Sequence, residues 1–274
     1  MTRVTVIVCA LLAAGCGSDT GAPVAAPARP VRIALLTPSA PLVRGVHAAE
    51  QYVGAVETGD VGSADLVVTT DGAQAGRAAQ RSPDGHVLLL GGAAPDPVPG
   101  NLLAIQISRG QSAYLAGALA ALAGAHTMAL AGGGDELAAA ARAGAAAAGA
   151  PLDVTTAACG AATTADVVYV ERPECLSDRP TGQVIAPRMI DGADQLAVIG
   201  PRPWVAVAAA ARAVQAGRFV PGVMLEGLRQ DVLGVGWIAP SVSAAAVDRL
   251  QRIQDQIRAG QADVPLVAPI LQAE

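Results

Sequence analysis

The chain has 274 residues, of which 52% are hydrophobic, and a formal net charge of -5 at pH 7. This acidic balance argues against a nucleic-acid partner, because nucleic-acid-binding proteins present a basic face. All 18 basic residues are arginine. The lack of lysine excludes a Walker-type phosphate loop, a Schiff-base lysine and a Ser–Lys catalytic pair.

The first 16 residues predict a lipoprotein signal. A short basic start is followed by an apolar run over residues 4–14, interrupted only by Thr5. A membrane-spanning helix needs about 20 apolar residues, so this run predicts a signal peptide over residues 1–15. The run ends in LAAGC at residues 12–16, which resembles the bacterial lipobox, whose cysteine receives a diacylglyceryl group. Cys16 is therefore predicted to be lipidated; the alternative is an ordinary signal peptide with a chance cysteine.

Residues 16–30 are small, polar and rich in proline, which is typical of a flexible tether. No later segment offers about 18 apolar residues free of charges and helix breakers. We therefore expect a protein that is held on the extracytoplasmic face of the cell membrane by its lipid and does not span the bilayer. Two acyl chains are enough for stable anchoring.

Strand and helix signals alternate after the tether. Apolar runs predict strands at residues 31–36, 65–69, 86–90, 102–107, 126–131, 166–170, 183–186, 195–199 and 233–239. Helices are predicted at residues 41–55, from the cap Asp71 to residue 81, at 111–124, 135–148 and 204–216, and from the cap Ser241 to residue 259. Continuous apolar strands separated by helices predict parallel sheets that are covered on both faces.

Four cysteines need to be placed. Cys9 leaves with the signal peptide and Cys16 carries the lipid. Cys159 and Cys175 remain as an even pair in an oxidising compartment, which predicts a disulfide between them. The alternative is two buried free thiols.

Two longer stretches carry a family pattern. Residues 111–122 read QSAYLAGALAAL and residues 126–133 read HTMALAGG; residues 204–265 contain VAVAAAARAVQAGRF, LRQDVLGVGWIAP and IRAGQADVP in that order. They resemble the segments "EGSYLAGVLAAL … GKVGFVGG" and "VDVAVYEAIK … GKF … GLKDGGVGLA … IISGEIKVP" of the basic membrane protein family. Members of that family are substrate-binding lipoproteins, and some are purine-nucleoside receptors of uptake transporters.

The resemblance implies an α/β, two-lobed type I periplasmic-binding-protein-like fold: parallel sheets flanked by helices, a multi-strand hinge and a ligand between the lobes. We place the N-terminal lobe at residues 31–125 and the C-terminal lobe, with the hinge crossovers and the last helix, at 126–274. The loop TPSAP at residues 37–41 lacks the family's aspartates and SFNQ motif, and residues 185–188 lack its acidic ligand contact. With one Phe, three Tyr and two Trp in the chain, we do not expect nucleoside specificity to carry over, because purine stacking needs aromatic faces.

Ligands of open α/β sheets lie at the carboxyl ends of the strands. The residues that follow those ends are therefore predicted to bind the ligand: Ser39, Asp71, Ser108, Arg109, Glu171, Arg188, Arg202 and Trp204. Arg202 also occupies the place of the basic residues in the family's "VKR" segment. The alternative for each residue is a helix cap or a surface position. As a set, they predict a polar, arginine-bearing cleft for a small ligand with acidic or hydroxyl groups.

No catalytic or metal-binding pattern accompanies this cleft. His47, His86 and His126 are about 40 residues apart, and none has a second histidine or cysteine nearby. We expect no enzymatic activity, cofactor or metal. The leading hypothesis is a membrane-anchored solute-binding lipoprotein that delivers a small polar ligand to an ABC permease. The alternative is a ligand-sensing or structural envelope lipoprotein that kept the fold without transport.

Overall fold

The computed structural model describes residues 29–177 and 181–262, together with Val264 and Val267. The predicted signal peptide, Cys16 and the tether as far as residue 28 lie outside the described residues. Among the helices described here, none has the length and apolar character needed to cross a membrane.

Strands and helices alternate along most of the chain. In order, the elements are β1 (Arg32–Leu35), α1 (Ala40–Val53), β2 (Val56–Glu57), β3 (Leu66–Thr69), α2 (Gly72–Arg81), β4 (His86–Leu90), β5 (Leu102–Ile107), α3 (Arg109–Leu122), β6 (Thr127–Ala131), α4 (Asp135–Ala148), β7 (Asp153–Ala157), β8 (Val167–Val170), β9 (Gln183–Ala186), β10 (Gln195–Pro201), α5 (Pro203–Gln215), β11 (Gly222–Glu226), β12 (Leu233–Ile238) and α6 (Ala244–Arg258). Two short 3-10 helices lie at Val61–Ser63 and Pro173–Cys175.

The strands form two six-stranded sheets. The first sheet has the order β11-β5-β4-β3-β1-β2, and its pairs are parallel. The second has the order β12-β10-β9-β8-β6-β7, with β12 antiparallel to β10 and the other pairs parallel. The central strands β3 and β8 are buried along their whole length, as the continuous apolar runs predict.

Three strands were not predicted: β2, β7 and β11. Each lies at an edge of its sheet. An edge strand buries fewer side chains than a central one, so its sequence carries a weaker apolar signal. In β11, Val223 and Met224 are exposed. The start of α6 also differs from the prediction, because the hydroxyl oxygen of Ser243, and not that of Ser241, accepts from the Ala246 N–H at 3.3 Å.

The chain passes between the two sheets three times within the described residues: from β5 to α3, from β10 to α5 and from β11 to β12. Side chains of α3 share one core with β6, β8 and α4, whereas those of α5 share another with α1 and β3. The lobes in the structure therefore do not divide at residue 125, the boundary that the sequence predicted. Helix α5 and strand β11, from the second half of the chain, belong to the first lobe, and α3 belongs to the second lobe.

Helices α3 and α4 pack in close backbone contact. A Cβ atom on Gly117 would overlap the carbonyl oxygen of Ala141, and one on Gly144 would overlap that of Tyr114. Only glycine allows this approach. The contact buries α3 almost completely, which fixes the first turn of α3 against the second lobe.

Candidate functional site: the cleft between the lobes

A cavity of about 910 Å³ lies between the two sheets. The first lobe contributes residues 70–73 and 91–93, which follow β3 and β4. The crossing from β5 to α3 contributes residues 107–109. The second lobe contributes Ser112, Gly132, Tyr169, Glu171, Arg172, Pro187 and residues 199–201. Most of these residues follow the carboxyl ends of parallel strands, where ligands of open α/β sheets are bound.

An ion pair between Arg109 and Glu171 dominates the wall of the second lobe. Arg109 is the first residue of α3, and Glu171 directly follows β8. The Arg109 Nε atom donates to Glu171 Oε2 at 2.6 Å, and Nη2 donates to the same oxygen. The two side chains are only 16% and 18% exposed, so water screens their attraction weakly. The pair holds the start of α3 against the end of β8.

Tyr169 lies beside this pair, at 3% exposure. Burial raises the pKa of its phenol well above the ordinary value of 10.0, and the negative charge of Glu171 raises it further. A hydrogen bond with Ser112 and the charge of Arg109 act in the opposite direction with smaller effect. Tyr169 is therefore uncharged at neutral pH and offers its hydroxyl group for hydrogen bonding.

Two predicted residues at the cleft, Asp71 and Ser108, also cap helices. The Asp71 Oδ1 atom accepts from the Gln74 N–H at 2.8 Å at the start of α2. The Ser108 Oγ atom accepts from the Gln111 N–H at 3.4 Å at the start of α3. Both helices thus begin at the cleft, one in each lobe.

A disulfide between Cys159 and Cys175 lies directly behind the wall of the second lobe. Gly132, a lining residue with a φ of 72°, packs so closely that a Cβ atom there would come within 3.0 Å of Cys175 Sγ. The Cys175 N–H donates to the carbonyl oxygen of Arg172 at 2.8 Å. The disulfide therefore restrains the loop that carries Glu171 and Arg172.

Ser39 and Arg188 lie outside the cleft. Ser39 is the exposed residue before α1, and its side chain makes no capping hydrogen bond. Arg188 is exposed after β9, and its carbonyl oxygen accepts from Gln195 Nε2 at 2.9 Å. Both follow strands, as predicted, but neither lines the cavity, although Pro187, next to Arg188, does.

Arg202 and Trp204 were also predicted in the cleft and are held elsewhere. The Arg202 Nη1 atom donates to Asp231 Oδ1, and Nη2 donates to the Val235 carbonyl oxygen, both at 3.0 Å. Trp204 lies in the first turn of α5, with the Arg44 guanidinium carbon 5.2 Å from the centre of its ring. These contacts stabilise the hinge and the α1–α5 packing, so the ligand-binding prediction for both residues is not supported by their positions.

Arg172, Ser112 and Tyr169 line the cleft and were not predicted as ligand contacts. Arg172 directly follows the predicted Glu171, and Ser112 lies three residues beyond Arg109 on α3. Both could therefore have been predicted from their closeness in sequence to predicted site residues. Tyr169 is the third residue of a buried strand, and its pattern indicates only a core position. Within residues 29–177 and 181–262, no three His, Cys, Asp or Glu side chains are grouped so as to hold a metal ion.

Several solved structures are similar in fold to most of this chain. An ABC transporter system solute-binding protein from Conexibacter woesei is 17% identical with a TM-score of 0.63, covering 86% of this chain and 99% of its own. A solute-binding protein of an ABC transporter system from Aeropyrum pernix is 15% identical with a TM-score of 0.56, covering 87% and 94%. A transcriptional activator of the comK gene from Bacillus halodurans is 12% identical with a TM-score of 0.63, covering 85% and 99%.

No protein-family model matches the chain, and no curated protein matches it in sequence. At these identities the structural likeness shows the fold alone. The two sheets, their flanking helices and their similarity to these structures confirm the predicted fold class. The chain has an α/β, two-lobed fold like that of type I periplasmic-binding proteins.

Proposed function

We propose that this protein is an extracytoplasmic solute-binding lipoprotein that holds a small polar ligand between its lobes and delivers it to an ABC-type importer. The observation that carries the proposal is the cleft itself. Its walls come from both lobes, and three chain crossings join those lobes. A ligand that contacts both walls favours the closed arrangement of the lobes, which a permease can distinguish from the open one.

Two of the similar structures are named ABC transporter solute-binding proteins, which supports the same role here. The lipid anchor at Cys16, the permease partner and the relation to the basic membrane protein family rest on the sequence pattern. The cleft also supports a departure from that family's nucleoside receptors. Tyr169 is the aromatic residue in its lining, and at 3% exposure it presents almost no ring face for a purine to stack on.

The sensing alternative shares the fold, since one similar structure is a transcriptional activator. A ligand-free structural role is less favoured by the cleft, because an ion pair and several hydroxyl groups line an open cavity of about 910 Å³. Polar groups arranged around such a cavity are typical of small-molecule sites.

The proposal is tested by mass spectrometry of solutes that co-purify with the protein in the form the cell produces. A thermal-shift panel of nucleosides, sugars, amino acids and organic anions completes the test. A ligand at 100 times its Kd stabilises the native state by about 2.7 kcal/mol, which raises Tm by several degrees. Arg172→Ala should weaken binding, since Arg172 lines the cleft, while the matched control Arg188→Ala should not. If no solute co-purifies and none shifts Tm, the solute-binding proposal fails.

A further inference from the structure

The formal charges of the residues that line the cleft sum to zero. Arg109 and Arg172 supply two positive charges, and Asp71 and Glu171 supply two negative charges. The predicted site contained two further arginines, Arg188 and Arg202, which the structure places outside the cleft. Half-buried Glu226 is near the hinge and does not line the cavity, and burial raises the pKa of its carboxyl. The formal charge of the lining is therefore zero.

This balance bears on which ligands the closed cleft can hold. A charge taken out of water costs several kcal/mol unless an opposite charge compensates it. A ligand with a net charge could pair with Arg172 or Asp71 only where water screens the attraction, because both side chains are exposed. Otherwise it would compete for one member of the Arg109–Glu171 pair and leave the other member without its partner. Removing one partner of a buried pair is more costly than the pair itself is favourable. A ligand without net charge avoids that cost.

The geometry of the pair indicates which uncharged groups fit. The Nε and Nη2 atoms of Arg109 both donate to one oxygen of Glu171, Oε2. Among the hydrogen bonds of the described residues, Arg109 Nη1 and Glu171 Oε1 take no part. A donor and an acceptor are thus available on the same ion pair. A hydroxyl group can accept from the guanidinium and donate to the carboxylate, and two adjacent hydroxyl groups can use both at once.

The rest of the lining adds hydroxyl groups and small aliphatic side chains. Thr70, Ser112 and Tyr169 supply hydroxyl groups, and the apolar part of the lining consists of Ala73, Ala93, Ile107, Pro187, Ile199 and Pro201. This surface suits a compact aliphatic skeleton with many hydroxyl groups better than a flat aromatic ring. Arg172 and Asp71, the other charged groups of the lining, are exposed, so a zwitterion that paired with them would gain little, because water screens such pairs.

We infer that the ligand is an uncharged, polyhydroxylated aliphatic compound, a polyol or small sugar, whose adjacent hydroxyl groups bind the intact Arg109–Glu171 pair. This inference rests on the proposed solute-binding function and names the chemistry of its ligand.

The test compares compounds that share a skeleton and differ in charge. Glucose, glucuronate and glucosamine form one set, and myo-inositol, ribose and glutamine extend the panel. Binding is measured by calorimetry on the protein in the form the cell produces, after removal of co-purified solutes. We expect an uncharged polyol or sugar to bind at least about 10-fold more tightly than any charged or zwitterionic member. We also expect the co-purified solute to be uncharged.

A variant that removes one negative charge sharpens the test. Glu171→Gln gives the lining a formal charge of +1, so it should improve the affinity for glucuronate relative to glucose by about 10-fold. The control Glu174→Gln changes an exposed carboxylate in the neighbouring 3-10 helix that does not line the cavity, and it should leave this ratio unchanged.

The outcomes separate the inference from the proposed function. If glucuronate, glucosamine or glutamine binds the unaltered protein more tightly than every uncharged compound, the inference is wrong and the protein is still a solute-binding protein. If Glu171→Gln leaves the ratio unchanged, the ion pair does not contact the ligand and the inference is likewise overturned. If no compound binds and none co-purifies, the inference falls together with the proposed function.

Discussion

Arg202 and Asp231 form a hydrogen-bonded ion pair of 3.0 Å in the hinge. Arg258, in the last turn of α6, donates to the same Asp231 oxygen at 3.0 Å, so one carboxylate joins the start of α5 to the end of α6. Asp231 adopts a φ of 60°, a left-handed conformation that is uncommon outside glycine. The two arginines help to hold it there. Arg202 therefore acts on the connection between the lobes.

Replacing Arg202 should consequently alter stability more than ligand binding. Arg202→Ala loses a partly exposed ion pair and the hydrogen bond to Val235, which together contribute about 1 kcal/mol. Tm should fall by about 2–4 °C, measured by calorimetry without ligand. Arg188→Ala, at an exposed position, is the matched control and should leave Tm unchanged. An unchanged Tm with lost ligand affinity for Arg202→Ala would instead place Arg202 at the ligand.

Removing the disulfide should destabilise the protein. Cys159 and Cys175 are 16 positions apart, and closing a loop of this length contributes about 3 kcal/mol in the chain-entropy model. The double variant Cys159→Ser, Cys175→Ser should therefore unfold at a lower denaturant concentration than the unaltered protein. Non-reducing peptide mapping of protein from an oxidising compartment should recover the two linked peptides. Two thiols that react freely with an alkylating reagent would contradict the pairing.

Tyr169 should make stability depend on alkaline pH. A group whose pKa is higher in the folded chain stabilises the fold fully below its unfolded pKa, about 10 for tyrosine, and this contribution is lost as pH rises through the folded pKa. Burial raises the pKa of Tyr169 well above that value. The free energy of unfolding should therefore fall above pH 10 more steeply in the unaltered protein than in Tyr169→Phe. The free energy of unfolding is measured by urea titration at several pH values. If it falls equally steeply with pH in both proteins, the phenol is solvated.

Stability should require glycine at position 144 in α4 but not at position 76 in α2. Gly144→Ala would place a Cβ atom against the Tyr114 carbonyl oxygen and should destabilise by about 1–3 kcal/mol, because the α3–α4 backbones must separate. Gly76→Ala, inside α2, would meet Pro95 only at an ordinary 3.7 Å. It should stabilise by about 1 kcal/mol through helix propensity. Chemical denaturation of both variants gives opposite signs if the packing is as described.

Lipidation is tested at Cys16. Cys16→Ser should prevent transfer of the diacylglyceryl group, so that unprocessed precursor accumulates or the protein is released from the membrane. Cell fractionation and intact-mass measurement distinguish these forms. If Cys16→Ser partitions into membranes with the same mature mass as the unaltered protein, the predicted lipid attachment is incorrect.

Central strands and their flanking helices could be predicted from the sequence because their signal is local. The bounds of β4, β5 and β9 agree with the apolar runs that predicted them. Asp71 caps the start of α2 as predicted, since a capping residue lies next to its helix in the chain. The edge strand β11 could not be predicted in this way, because none of its five residues is buried, and Val223 and Met224 are exposed.

The cleft was predicted only in part, for a related reason. Asp71, Ser108, Arg109 and Glu171 line it because each lies directly beyond a central strand. The partner of an arginine, however, is a property of the folded chain. Arg109 and Glu171 are 62 positions apart, and Arg202 and Asp231 are 29 apart. The sequence shows five charged residues at strand ends, Asp71, Arg109, Glu171, Arg188 and Arg202, and does not show which of them pair in the folded chain.

The three chain crossings mean that the halves of this protein cannot be separated without damage. A fragment of residues 31–125 would lack β11 and α5 and would carry α3, whose residues 110–121 are all buried against the second lobe. The complementary fragment would lack that helix at the centre of its core. Neither fragment would contain the complete core of a lobe, because no single peptide bond separates one lobe from the other.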